Sequence, residues 1–315
     1  MRVLITGCGG FIGSHLATRL IGKAEIFGTV YDFDGTRNIE KIKDRMTVLK
    51  CDMSDKESVE AAVEKSKPDM VFHLAAQSFV VPSWQDPEKT FRTNFLGTYY
   101  LLEALRKTMP NAKILVACSS AEYGFITEDD IPLREDSQLR PSSPYAVSKI
   151  GQDMISYLYA KAYGMKIIRM RLFNTTGPGK TFDACSDFAK GIADIENGKR
   201  KELVVGNLEG MRDITDVRDT VRAMILLSEH GEDGEVYNIC TGKAHKIGDL
   251  LEKLRKMSKT KIDIRVSPDT NRRIDDPLFI GDNKKLSGLG WKPEIAIEKT
   301  LEDTLDYWRK FQKTY

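Results

Sequence analysis

A tyrosine and a lysine four residues apart carry the clearest chemistry in this chain. They are Tyr145 and Lys149 in Ser142-Ser143-Pro144-Tyr145-Ala146-Val147-Ser148-Lys149. On a helix, residues four apart share a face, so the phenol and the ammonium point the same way. A free phenol, with a pKa of ~10, is a poor base at neutral pH. A cation beside it favours the phenolate, so Lys149 is expected to lower the Tyr145 pKa and to be able to hold a ribose. The pair suits proton transfer to or from the oxygen of an alcohol or ketone. Ser119 and Ser120 follow the apolar run Lys113–Cys118, and Ser119 is placed to hydrogen-bond that oxygen. By themselves these signals are weak, because a Ser-Ser pair is more often a cap or a turn.

A second signal lies at the start of the chain. Gly7, Gly10 and Gly13 follow the apolar run Val3–Thr6, and Phe11 and Ile12 open a helical pattern. Glycines permit a tight turn whose backbone N–H groups approach a pyrophosphate, and the next helix offers its positive end. The intervals are two residues each, unlike the G-x-G-x-x-G form. The second strand runs into Tyr31-Asp32-Phe33-Asp34. An acid there holds the adenosine ribose hydroxyls and repels a 2′-phosphate. Asp32 is the candidate, with Asp34 in reserve. Arg37 nearby could accept a phosphate, so NAD is favoured and NADP stays open. Asp52 and Met53 close the third strand near the adenine. Leu74, Ala75 and Ala76 close the fourth, where small side chains let a cofactor approach the backbone.

The elements that must position these groups alternate. Strands are expected at Val3–Thr6, Ile26–Tyr31, Thr47–Lys50, Met70–Leu74, Ile114–Ala117 and Ile167–Leu172. Between them lie helical patterns at Phe11–Leu20, Ser54–Lys65, Pro87–Met109 and Tyr145–Tyr163, with Ser54 the expected N-cap of the second and Glu57 at capping-box spacing. Continuous apolar strands in a βαβα rhythm imply a doubly wound parallel sheet covered on both faces. After Leu172 the rhythm breaks at the turn-rich Asn174-Thr175-Thr176-Gly177-Pro178-Gly179. Shorter pieces follow. We therefore expect a dinucleotide-binding domain over 1–172, segments near 215–240 that return to it, and a smaller C-terminal substrate lobe over 173–315.

Composition narrows the field. The chain has 315 residues, 30% of them charged, and a formal net charge of +2. Such a balance gives no reason to expect nucleic acid or an anionic membrane as a partner. No run approaches the ~18–20 apolar residues of a membrane helix, and Arg2-Val3-Leu4-Ile5-Thr6 starts a strand at once rather than a signal peptide. A cytoplasmic location is expected. Five scattered cysteines read as reduced thiols, and four scattered histidines give no metal-ligand spacing.

Taken together, these residues resemble the extended short-chain dehydrogenase/reductase family that modifies nucleotide sugars, which has a Rossmann-type sheet. The resemblance rests on Thr6–Gly13, Asp52-Met53, His73–Ala76, Asn94–Thr98, Ser119–Gly124, Tyr145 with Lys149, Arg171–Asn174 and Arg212–Asp219. It spans nearly the whole chain. Leu139–Tyr145, Val205–Asp213 and Arg272–Leu286 bring it closest to the branch of GDP-mannose 4,6-dehydratases and GDP-4-keto-6-deoxy-mannose reductases. The resemblance implies Ser119, Tyr145 and Lys149 as catalytic, and Ser120, Glu122, Asn174, Arg212 and Arg272 on the substrate side, with Arg212 meeting the nucleotide diphosphate and Arg272 a further contact on the nucleotide side. It also implies a homodimer built on the helices from Pro87 and Tyr145.

Two departures bear on the reaction. Dehydratases of this kind carry a glutamate two residues after the Ser/Thr matching Ser119, for proton abstraction at C5; here that position is Ala121. Glu122 is adjacent, and on an extended segment it would face the other way, so dehydration is disfavoured. Reduction of a 4-keto sugar needs only Ser119, Tyr145 and Lys149. The dehydratases of the branch look NADP-linked, whereas Tyr31-Asp32 favours NAD, which would also fit a 4-epimerase that retains its cofactor. A non-catalytic dinucleotide sensor is the reading from another class, and the intact Ser119, Tyr145 and Lys149 set argues against it.

Overall fold

A computed structural model describes residues 1–267 and 278–311, apart from the side chains of Phe33 and Asp34. Arg272 lies outside the described residues, and so does the side chain of Asp34. Strands β1 (Arg2–Thr6), β2 (Glu25–Val30), β3 (Thr47–Lys50), β4 (Met70–His73), β5 (Lys113–Ser119) and β6 (Ile167–Leu172) join the strand Val236–Ile239 in one seven-stranded sheet. Its order is Val236–Ile239, β6, β5, β4, β1, β2, β3, and every pairing is parallel. The order reverses between β1 and β4, where Thr6 pairs with His73. Open parallel sheets bind ligands beyond the carboxyl ends of the strands at such a point.

The strands are apolar throughout because both faces are covered. Val3, Ile5 and Leu115 pack with Leu16, Val221 and Met224 on one face. Leu4, Ile114 and Val116 pack with Val59, Leu101, Leu105 and Tyr159 on the other. This is the two-residue alternation of a strand read out by two separate cores. Helix α1 (Phe11–Leu20) belongs to the first, while α2 (Lys56–Ser66), α5 (Gly97–Thr108) and α6 (Pro144–Tyr163) belong to the second.

Two local expectations are corrected. Ser54 does not cap α2. Its N–H and hydroxyl both bond to Asp52 Oδ1, and Asp55 caps the helix by accepting the Glu57 N–H at 3.1 Å. The single helix expected over Pro87–Met109 is three pieces: α4 (Pro87–Phe91), a π-helical turn over Arg92–Leu96, and α5. A short helix, α3 (Val80–Gln85), precedes them.

Beyond β6 the chain builds a second, smaller sheet. The strand Met211–Asp216 pairs with Asn174–Thr176, Ala244–Lys246 and Leu278–Phe279. Leu203–Val205 pairs with Ile264–Val266. Helices Ala184–Glu196, Ile247–Lys256 and Ile297–Phe311 enclose a separate core around Ile192, Leu251 and Trp308. Asn174–Thr176 is thus a short strand where a turn was expected. Its three residues gain their strand geometry from register with Ile214–Asp216, which local propensity does not report.

Candidate active site

Helix α6 is set by its own ends. Ser143 accepts the Ala146 N–H at 3.1 Å, Pro144 takes the first helical position, and Gly164 ends the helix in the left-handed conformation. The Tyr145 N–H, orphaned in a first turn, donates to Ser83 Oγ at 3.1 Å, so α3 docks on this end. Tyr145 then faces Ser119 at the tip of β5, whose hydroxyl acts on the phenol. Burial pushes the phenol up to about 12, and the Ser119 hydroxyl pulls the other way.

Lys149 is one turn further along. Its Nζ is buried, donating to the Ala117 carbonyl at 2.8 Å and to Gln152 Oε1 at 2.7 Å, 6.0 Å from the centre of the Tyr145 ring. Burial draws its pKa down to about 8. The expectation that Lys149 lowers the phenol is therefore corrected for this arrangement. The ammonium is engaged by the β5 backbone and Gln152, and burial governs the phenol. One consequence is measurable. Lys149 is mostly protonated at neutral pH and loses its charge as pH rises through about 8. Turnover is expected to fall along that alkaline limb, and Lys149→Arg should move the limb to higher pH. A wild-type rate that stays flat through this range would take the ammonium out of the mechanism.

Ser119 is held from both sides. Residues Ser120–Glu122 form one 3-10 turn, not the extended segment expected. Ser119 Oγ accepts the Ala121 N–H at 3.1 Å, and Glu122 Oε1 accepts the Ser119 N–H at 2.8 Å. Glu122 is fully buried. Its placement on the substrate side is corrected: the turn swings the carboxyl into the core beneath Ser119, where it meets Arg171. Ser120 is also buried.

The sequence reading assigned Asn94 no role. In the π-helical turn its Oδ1 accepts the Gln77 N–H at 2.8 Å, and its Nδ2 donates to the Gln77 carbonyl at 3.0 Å and to Ser148 Oγ at 2.9 Å. Ser148 Oγ donates to the Tyr145 carbonyl at 2.7 Å. Asn94 thus ties the β4 exit to the helix that carries the phenol. The interruption of a long apolar helix by a polar, amide-bearing residue was the available signal.

The residues expected to hold a dinucleotide follow the carboxyl ends of β1, β2, β3 and β4, with Thr6, Gly7 and Leu74–Ala76 at the sheet reversal. Gly7 has φ +71°, and a Cβ there would lie 2.9 Å from the Ala75 backbone; a Cβ at Gly13 would run into the Gly7 carbonyl oxygen. Gly10 precedes α1 with no side-chain cap, leaving the N–H groups around Phe11 and Ile12 for an anion. Thr6 Oγ1 accepts the N–H groups of Leu74 and Ala75, both at 3.1 Å, and donates to His73 Nδ1 at 2.8 Å. His73 Nε2 then donates to Thr98 Oγ1 at 2.9 Å, since that hydroxyl donates onward to the Asn94 carbonyl. Burial, then the Lys149 charge, pulls His73 down to about 3, so it stays neutral. Ala76 follows, half-buried. Asp32 is exposed after β2, with Oδ1 accepting the Gly35 N–H at 3.0 Å. Asp52 keeps one oxygen outside its Ser54 bonds, and Met53 is buried. Arg37 stacks on the Phe311 ring at 3.8 Å. A glycine cradle too tight for a Cβ, an uncapped helix start and an exposed acid after β2 fit a dinucleotide.

On the other side, the small sheet brings Asn174 and Arg212 to neighbouring strands. Asn174 is exposed, and Arg212 is half-buried with Nη1 donating to the Met211 carbonyl. Asp213 between them is buried and gathers N–H groups from Thr241, Gly242 and Gly281.

With this geometry in place, the relatives are informative. Residues 4–304 match the family model described as GDP-mannose 4,6 dehydratase. The chain belongs to that family. Over 311 residues it is 32% identical to the GDP-6-deoxy-D-mannose reductase of Pseudomonas aeruginosa, covering 98% of this chain and 97% of that one. The solved structure of RMD from Pseudomonas aeruginosa, complexed with NADPH, superposes with a TM-score of 0.85 at 29% identity over 99% of this chain and 100% of the other. A UDP-glucose 4-epimerase from Thermus thermophilus, in complex with NAD, gives 0.86 at 27% identity over 98% and 99%. As a member of the GDP-mannose 4,6-dehydratase family, the chain is a nucleotide-sugar-modifying enzyme of the short-chain dehydrogenase/reductase class.

Proposed function

We propose that this enzyme reduces the 4-keto group of a GDP-4-keto-6-deoxy-hexose. The observation that carries the reading is the floor of the site. Where a dehydratase needs an acid, Ala121 offers a methyl group, and the neighbouring Glu122 is sealed in the core. Hydroxyls and a phenol remain at the tip of β5 and the start of α6. The GDP link draws on the family model and on the name of the Pseudomonas relative.

A bound nicotinamide dinucleotide would supply the hydride. Gly7, Gly10 and Gly13 would hold its pyrophosphate at the start of α1, and Asp32 its adenosine ribose. Tyr145 donates its proton to the oxygen as the carbonyl becomes an alcohol. A phenol pushed up to about 12 is protonated at neutral pH and so stands ready as an acid. Ser119 hydrogen-bonds the same oxygen, and Lys149 keeps a positive charge beneath the site. Residues from 173 onward, apart from the segments near 215–240 that return to the large sheet, form the sugar-nucleotide lobe, with Asn174, Arg212 and Arg272 as substrate contacts.

Asp32 supports NAD over NADP, because its carboxylate opposes a 2′-phosphate. It also favours the second reading, a 4-epimerase that retains NAD. Supplying NADH or NADPH with GDP-4-keto-6-deoxy-mannose separates the two. Net cofactor consumption is expected; sugar interconversion without it would establish the epimerase, and water loss from GDP-mannose the dehydratase.

The assembly we propose is a homodimer. Val147, Met154, Tyr157, Leu158 and Tyr163 are exposed along α6, with Tyr99 on α5, while Tyr159, Leu101 and Leu105 face the sheet. Leu158 alone leaves 53% of its surface in water; Val147, Met154 and Leu158, seven and four residues apart, share one face of α6, and an exposed apolar stripe of this kind supports an interaction site. Light scattering should give a dimer for the wild type and a monomer for Leu158→Glu. A wild-type monomer would end the proposal. Among the described residues no helix is long and apolar enough to cross a membrane. All five cysteines are buried and unpaired, which supports a reducing, cytoplasmic setting.

A further inference from the structure

Beneath Ser119, two acids and two arginines meet out of reach of water. Glu122 comes from the turn after β5, Asp153 from α6, and Arg169 and Arg171 from β6; all four are buried. Asp153 is fully served: Oδ1 accepts from Arg169 Nη1 at 2.6 Å, and Oδ2 from Arg171 Nε at 2.9 Å. Arg171 Nη1 donates to the Tyr123 hydroxyl at 3.1 Å and to the Glu135 carbonyl at 2.9 Å.

Glu122 is served on one oxygen only. Oε1 accepts the Ser119 N–H, whereas Oε2 lies 3.3 Å from Arg171 Nε without a hydrogen bond. The reason is geometric. Arg171 Nε carries a single hydrogen, and that hydrogen is aimed at Asp153. An ionised Glu122 would set a second buried carboxylate beside Asp153, with one oxygen lacking a hydrogen bond and only an Arg171 cation shared with Asp153 to offset its burial. A proton on Oε2 removes that charge, and the acceptor it would face is the Asp153 carboxylate, an oxygen of which lies within 4.8 Å of the Glu122 carboxylate.

We propose that Glu122 is a positioning residue for Ser119, and that it holds this place as a neutral acid sharing one proton with Asp153. The role of Ser119 rests on the reductase reading given above; the shared proton does not. The groups facing Glu122 agree. Burial and the Asp153 charge push its carboxyl well up, while Arg171 and the Ser119 N–H pull the other way. Cys118 on β5 is pushed up by burial and stays a thiol, and Lys149 is the other charged group of α6 on this side. An ionised Glu122 would raise both Tyr145 and Lys149. A neutral one fixes the Ser119 backbone and adds no negative charge beside the phenol. Ser119 Oγ, already accepting from Ala121, then turns its own hydrogen toward the reacting oxygen.

Glu122→Gln and Glu122→Ala, made in the full chain, test this. Difference infrared spectroscopy should show a neutral carboxylic-acid band in the wild type that is lost in Glu122→Gln. Glu122→Gln should keep kcat within about threefold with the wild-type pH profile, because an amide accepts from Ser119 and donates to Asp153. Glu122→Ala leaves the Ser119 N–H without its acceptor, so kcat should fall about 10- to 100-fold with KM and dinucleotide Kd little changed. A folded, dinucleotide-binding Glu122→Gln as impaired as Glu122→Ala would overturn the positioning role. Absence of the infrared band would overturn the shared proton, whether or not Glu122→Ala folds. Should the wild type turn over no 4-keto sugar, the reductase reading fails by itself. The infrared band and a phenolate-absorbance titration of Tyr145, unchanged in Glu122→Gln and shifted in Glu122→Ala, then still decide the proposal.

Discussion

Tyr145→Phe should lower kcat about 10²- to 10⁴-fold, the range of a lost general acid, with dinucleotide affinity nearly unchanged. The substitution removes one oxygen and keeps the ring. The α6 start survives, because its backbone is held by Ser143 and Ser83 rather than by the phenol. The glycine turn and α1 lie on other elements and keep their shape. What goes is the proton that, in the proposed reduction, passes to the carbonyl oxygen, together with the hydroxyl that faces Ser119. Steady-state kinetics beside a fluorescence titration of the dinucleotide separate the two effects. A variant that keeps near wild-type kcat would remove Tyr145 from the mechanism, and one that also loses the dinucleotide would make the residue structural.

Arg171→Leu should cost about 3–5 kcal/mol of stability, as expected when one partner of a buried ionic network is removed. Its guanidinium reaches Asp153, Tyr123 and the Glu135 carbonyl together, and it is the cation nearest Glu122. No water can take over those bonds in a site this buried. The loss is far above the 0–1 kcal/mol of an exposed pair, such as Arg134 with Asp136 on the surface, so Arg134→Leu is the control. Denaturant or thermal unfolding would check both. A loss below about 1 kcal/mol for Arg171→Leu would mean that the network is hydrated and that its members stand alone.

These two effects differ in how far the chain announces them. Tyr145, Lys149 and Ser119 were legible because helical spacing and strand ends are local matters, and the structure brings all three to the tip of β5. Asp153 and Arg171 lie on different elements, and nothing in their spacing marks them as partners. Gln152 follows Lys149 by three residues on the same helix face, which was a usable hint to where the ammonium would be held.

The outline of the large sheet could be read from the residues alone. Buried parallel strands must be apolar on both faces, and a turn that approaches a pyrophosphate must be glycine, so composition carries the geometry with it. Folding in three dimensions settled the rest. It decided that Ser120–Glu122 coil and turn a carboxyl inward, that Asp55 rather than Ser54 caps α2, that a π-helical turn aims Asn94 at the β4 exit, and that Asn174–Thr176 becomes a strand. Each of these depends on which distant group supplies the hydrogen bond. Pairings between elements far apart in the chain are chosen by burial and by the need to satisfy every enclosed polar atom, and a linear pattern does not encode that choice.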